Sequence, residues 1–123
     1  MQSPPVQRCV LIIECDSLTA ELYSRELRRH FQVMTCDDEH TAINYIQTHE
    51  PSAVVLEPSG LGKTGWDFLT KIKSLPNMHS VPVVLCSTLD ERRKGLEMGA
   101  ASFLLKPVLP STLLQVLRQL TQS

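Results

Sequence analysis

The chain has 123 residues, 42% of them apolar and 20% charged, with a formal net charge of −1. That is enough for one compact domain with a real core and too little for two. Basic and acidic residues are interspersed, which excludes a broad basic surface for nucleic acid. No apolar run approaches the roughly 20 residues that span a bilayer. The start, MQSPPVQR, has no apolar signal-peptide region. Cys9, Cys15, Cys36 and Cys86 lack C-x-x-C spacing, so a reducing, cytoplasmic setting with free thiols is expected, without membrane or direct nucleic-acid binding.

Strands and helices take turns along the chain. Residues 1–8 read as a flexible tail and 9–123 as the folded domain. Cys9–Ile13 (CVLII) is a continuous apolar run suited to a strand buried on both faces. Residues 17–29 follow as a helix with Leu18/Leu22 and Tyr23/Leu27 at i,i+4 spacing. A weaker pair comes next, a strand over 32–36 and a helix over 39–49 carrying Ala42, Ile43 and Ile46 on one side. Ala53–Leu56 is the third strand, and a helix from about Gly65 to Leu75 buries Leu69 and Ile72 until Pro76 and Asn77 break it. The fourth strand is expected over 81–86, with Pro82 tolerated near its start, then a short helix over 89–98 stopped by Gly99. Phe103 to Leu105 forms the fifth strand. Pro110 opens the last helix, with Leu113, Val116, Leu117 and Leu120 inward.

Five β-α units with apolar strands require a parallel sheet with helices on both faces, because each crossover is right-handed. The expected architecture is an α/β, flavodoxin-like (βα)5 doubly wound sheet with strand order 2-1-3-4-5. Function in such sheets lies beyond the carboxyl ends of the strands. The residues there are Glu14, Cys15 and Asp16; Glu57; Ser87 and Thr88; and Lys106.

The segment after the third strand, EPSGLGKTG, invites a nucleotide-binding reading. The phosphate-binding loop needs G-x-x-x-x-G-K-[ST], and its first glycine falls at Glu57, where a carboxylate would face the phosphates. No acidic residue ends the fourth strand for a metal contact. This remains the weakest of three functional readings.

The chain from about Arg8 to Leu120 resembles a response-regulator receiver domain, the phosphorylated module of two-component signalling. The resemblance rests on an acidic residue after the first strand (Glu14), a carboxylate after the third (Glu57), Ser87 after the fourth and Lys106-Pro107 after the fifth. Gly65 opening the third helix and Gly99-Ala100 before the fifth strand also match. It implies that Glu57 is the phosphoacceptor-equivalent, that Glu14, Cys15 and Asp16 form the acidic pocket, and that Ser87 and Phe103 are switch positions. It further implies that Lys106 is the phosphate contact, with a cis Lys106-Pro107 bond aiming it at Glu57.

The departures are chemical. Glutamate replaces the family's aspartate, and one methylene displaces the carboxylate from a pocket where positioning supplies most of the catalysis. Cys15 stands where a second carboxylate would help hold magnesium, a hard ion that wants oxygen ligands. Glu14, Glu57 and the Ser59 carbonyl are left as a weak or absent metal site. Asp16 is one residue out of register, and Lys63 adds positive charge near the pocket.

A pseudo-receiver is therefore expected. It would be a non-enzymatic signalling module without aspartyl phosphate, Glu57 acting as a standing phosphomimetic that holds Lys106 and Ser87. Its protein partner, a histidine kinase or an output domain, would meet the fourth helix, fifth strand and fifth helix, where Arg92, Arg93, Lys94 and Arg118 are exposed; a homodimer is left open. The second reading is a magnesium-dependent receiver still modified at Glu57, Ser59 or Thr64. Cys15 and Cys36 end neighbouring strands, so their thiols could approach at the crevice. His30, His40, His49 and His79 show no metal spacing and read as surface residues. Trp66 reads as loop packing.

Overall fold

A computed structural model describes residues 8–59 and 65–122. The glycine-rich segment 60–64, with Lys63 and Thr64, and nearly all of the expected tail lie outside them. The strands are β1 (Cys9–Ile13), β2 (Gln32–Cys36), β3 (Ala53–Leu56), β4 (Val83–Ser87) and β5 (Ser102–Leu105). The helices are α1 (Ser17–Leu27), α2 (Glu39–His49), α3 (Gly65–Ser74), α4 (Arg92–Glu97) and α5 (Pro110–Thr121). All four strand pairs are parallel and the order is β2-β1-β3-β4-β5, the expected doubly wound sheet.

The unbroken apolar strands are explained by two cores. Side chains alternate across a strand, so Leu11 and Ile13 of β1 enter one core, with Val54, Leu56, Leu85, Phe68, Leu69, Ile72 and Ile46. Val10 and Ile12 enter the other, with Val55, Val84, Tyr23, Leu27, Leu113 and Leu117. Helices α2, α3 and α4 thus cover one face, and α1 and α5 the other.

The helices start and stop for local reasons. Asp16 and Asp38 cap α1 and α2, accepting from the Thr19 and Thr41 backbone N–H groups. Gly99 adopts φ 101°, a left-handed conformation suited to glycine, and ends the α4 segment as expected. The break after α3 is a short 3-10 turn over Pro76–Met78.

Three expectations need correction. On α1, Leu18 and Leu22 are 71% and 54% exposed; the buried stripe is Ala20, Tyr23, Ser24 and Leu27, because the i,i+4 pair containing Tyr23 faces the sheet. Strand β4 runs from Val83 to Ser87, two residues later at its start than expected; Pro82 has no N–H for the ladder, and its carbonyl serves Val54 instead. Helix α4 is only six residues long, with no side-chain cap at Glu91 and Gly95 in its body. Gly95 brings α4 close to the sheet, since a Cβ there would stand 2.7 Å from Leu85 Cδ1 and 3.4 Å from Phe103.

Gly65 is more constrained. A Cβ at this position would lie 1.7 Å from the Pro58 carbonyl oxygen, a backbone atom that cannot swing aside. We predict that Gly65→Ala destabilises the fold by about 1–3 kcal/mol or more, by overpacking against backbone. Urea denaturation would measure this. An unchanged midpoint would show that the start of α3 shifts freely.

Candidate functional site

The carboxyl ends of β1, β3, β4 and β5 gather the site. Ile13 pairs with Leu56 in the sheet, so the next residues, Glu14 and Glu57, emerge side by side. Both are buried, at 5% and 4% exposure. Ser87 pairs with Leu105, and the Lys106 N–H donates to the Ser87 carbonyl at 2.7 Å, placing Lys106 at the same end of the sheet. The Lys106-Pro107 bond is cis.

The Lys106 ammonium joins the two acids. It donates to Glu14 Oε1 at 2.6 Å and stands 2.9 Å from Glu57 Oε2. The second contact is ionic rather than a directed hydrogen bond. Glu57 Oε1 accepts from the Ser59 backbone N–H at 3.0 Å and from the Ser59 hydroxyl. Glu14 Oε2 accepts from the Asp16 N–H at 3.2 Å. Desolvation opposes the charge on Lys106, but the hydrogen bond to Glu14 and then the close contact with Glu57 outweigh it, and its pKa is raised above the usual 10.5.

The expected site residues divide into those gathered here and those employed elsewhere. Glu14, Glu57, Ser59 and Lys106 are together. Asp16 does not join the acidic pocket. Its carboxylate caps α1 through the Thr19 N–H and hydroxyl, and these bonds hold its pKa below the usual carboxylate value. Cys15 is exposed. Ser87 is buried, but its hydroxyl accepts from the Leu89 N–H at 3.3 Å, and among the described residues Glu57 does not hold it. Phe103 packs inward against α4, with the Arg92 guanidinium 6.0 Å from its ring centre. The double grip of Lys106 by Glu14 as well as Glu57 was not anticipated. Two acids ending adjacent strands, opposite one lysine, were the available signal.

The remaining expectations fall on the periphery. Arg92, Arg93, Lys94 and Arg118 are exposed, beside exposed Leu89, Leu96, Leu105 and Leu109. Trp66 packs under Lys94, whose ammonium is 4.3 Å from the ring centre. The four histidines are exposed. Cys86 is core, whereas Cys9 is half-buried and bonded to the Tyr45 hydroxyl. Burial, and next the Asp38 charge, push the Cys36 thiol up to about 11. Among the described residues, no helix is long and apolar enough to cross a membrane.

A doubly wound sheet of order 2-1-3-4-5, with acids after β1 and β3 and a lysine after β5, defines the receiver class of signalling domain. Comparison with known proteins agrees: residues 10–118 match the response regulator receiver domain, and the chain belongs to that family. It is similar to response regulator PleD of Caulobacter vibrioides, 29% identical over 118 residues, covering 94% of this chain and 26% of PleD. It is 30% identical over 104 residues to two-component response regulator ORR12 of Oryza sativa subsp. japonica, covering 80% of this chain and 86% of the relative. In fold it resembles chemotaxis response regulator CheY4 of Vibrio cholerae, with a TM-score of 0.85, 21% identity, and coverage of 94% and 99%. The chain spans 26% to 50% of the length of the first curated relatives it matches.

Removing the ammonium would leave two buried carboxylates facing each other. Lys106→Met is expected to cost about 3–5 kcal/mol, the range for stripping one partner from a buried ion pair. Adding Glu57→Gln should recover part of the loss. Because the folded pKa of Lys106 is raised, its contribution is fully present below about 10.5 and is lost as pH rises through the folded value. Denaturation curves across alkaline pH would show stability falling more steeply in the wild type than in Lys106→Met, where raised thiols such as Cys36 still contribute a fall. An equal slope in both proteins would contradict this assignment.

Proposed function

We propose that this receiver domain signals by protein–protein interaction without aspartyl phosphate, Glu57 acting as a permanent anion at the phosphoacceptor position. The observation that carries the reading is the Lys106 ammonium 2.9 Å from Glu57. In the family that lysine contacts the phosphoryl group; here a carboxylate built into the chain already engages it. The substitution is partial, since a carboxylate brings one negative charge and a phosphoryl group close to two. Ser87 is left bonded to its own loop, so the domain rests in a single state in which the lysine is engaged and the hydroxyl is not.

The donor set does not fit the family's magnesium ion. A thiol stands at Cys15, Asp16 is committed to capping α1, and Lys106 already lies against both buried carboxylates. A hard cation would have to displace the ammonium and still find near-octahedral oxygen ligands. Magnesium binding is accordingly weak or absent. The partner, a histidine kinase or an output domain, meets the exposed face of α4, β5 and α5, where cationic Arg92, Arg93 and Arg118 stand beside Leu96 and Leu105.

Acetyl phosphate with magnesium tests the reading directly. The wild type is expected to show no mass gain, whereas folded Cys15→Asp/Glu57→Asp should gain one phosphoryl group, since the lysine and hydroxyl are already in place. A phosphorylated wild type, on Glu57 or Ser59, would sink the proposal.

A further inference from the structure

Leu18 and Leu22 form an apolar pair at helical spacing that the fold leaves in solvent, 71% and 54% exposed. They do not stand alone. Leu22 lines a cavity of about 380 Å³ between α1 and the turn joining β5 to α5, with Thr19, Thr88, Pro107 and Val108 among the other walls. Leu18 lies one helical turn earlier on the same stripe of α1. Leu109, which is 67% exposed, follows Val108 on the opposite rim. Exposed leucines grouped around an apolar groove mark an interaction surface, where scattered ones would not.

Three observations narrow the occupant to a second copy of this chain. The patch supplies both halves of a contact, a groove and the exposed leucines beside it, and a surface that complements itself is the condition for a two-fold interface. Among the described residues, Lys106 is the one charged side chain lining the groove, and its ammonium is already held by Glu14 and Glu57. Two such patches therefore meet without like charges opposed. The third observation is the charge at the ends of the stripe. When two α1 helices run antiparallel with Leu18 of each against Leu22 of the other, Arg25, three residues past Leu22, falls opposite the start of the second helix, where Asp16 precedes Leu18 by two. Arg25 is exposed and spends one guanidinium nitrogen on Glu21 at 3.2 Å, which leaves further N–H donors. Asp16 bonds Thr19 through Oδ2, and its Oδ1 has no partner among the described residues.

We propose that the groove between α1 and the β5–α5 turn is a homodimer interface, in which two antiparallel α1 helices pair Leu18 with Leu22 and Arg25 with Asp16 about a two-fold axis. Helix α4 stays outside this contact, so the inference does not depend on whether Glu57 mimics a phosphoryl group. One helix face and one turn make a small interface, of the weak and transient class.

Sedimentation equilibrium of the whole chain from about 10 μM to 1 mM covers the range in which weak contacts populate. A monomer–dimer equilibrium is expected. Leu22→Glu should weaken it about tenfold or more, because a charge would enter the apolar contact unpaired, whereas Leu96→Glu on α4 should leave it unchanged. Asp16→Asn keeps the helix cap, since asparagine caps as well as aspartate; its melting temperature should hold while association weakens. Adding Arg25→Gln to Asp16→Asn should then cost little more, as for two residues that act through one contact. A chain that stays monomeric throughout, leaving the groove to a different protein, would overturn the proposal. So would a dimer unaffected by Leu22→Glu, a dimer broken by Leu96→Glu, or fully additive losses in the Asp16→Asn/Arg25→Gln variant.

Discussion

One ammonium between two buried carboxylates, at 2.6 and 2.9 Å, sets the terms for the rest of this molecule. Burying charge is expensive unless it is paired and hydrogen-bonded. Glu14 and Glu57 together carry one more charge than Lys106 can neutralise. The remainder is met by the N–H groups of Asp16 and Ser59 and the Ser59 hydroxyl, all aimed at carboxylate oxygens. The cluster therefore requires the chain after β1 and after β3 to turn in particular ways, and it requires β5 to deliver its lysine across the end of β4.

The fold supplies those conditions cheaply. Apolar strands β1, β3 and β4, buried on both faces, and the half-buried edge strand β5 pair in register, and the register places the residues that follow them at one edge. What differs from the family resemblance is the chemistry at that edge. Glu57 brings its carboxylate within 2.9 Å of the Lys106 ammonium, and Asp16, two residues after Glu14, serves as a helix cap. Asp16 illustrates how a carboxylate's work is decided by its position relative to the helix start: accepting from the Thr19 N–H, it is stabilised where it stands and is unavailable to the pocket.

The strands were legible because CVLII and AVVL are apolar without alternation, which only a sheet covered on both faces explains. The site was legible as a set of strand ends. Less readable was anything depending on which of two equivalent faces a helix presents. Leu18/Leu22 and Tyr23/Leu27 have the same spacing, and only the packing of α1 against α5 and the sheet shows that the second pair is buried. The short α4 was obscured for a similar reason, since its limits depend on the close approach of Gly95 to Leu85 and Phe103. The shared grip on Lys106 depends on side-chain reach across the end of the sheet, which no linear spacing encodes.

The separation of the two cores by the sheet has a consequence for how this domain tolerates change. Leu11 and Ile13 belong to one core, Val10 and Ile12 to the other, and among the described residues no buried side chain is shared between them. Altered packing under α1 and α5 and altered packing under α3 and α4 should therefore combine almost additively, as expected for sites without common partners. Coupling between the two faces is left to the strand ends, where backbone turns and the lysine's ion pairs cross from one side to the other. A repertoire of sequences could thus vary each face almost on its own, with the end of the sheet as the place where the two histories must agree.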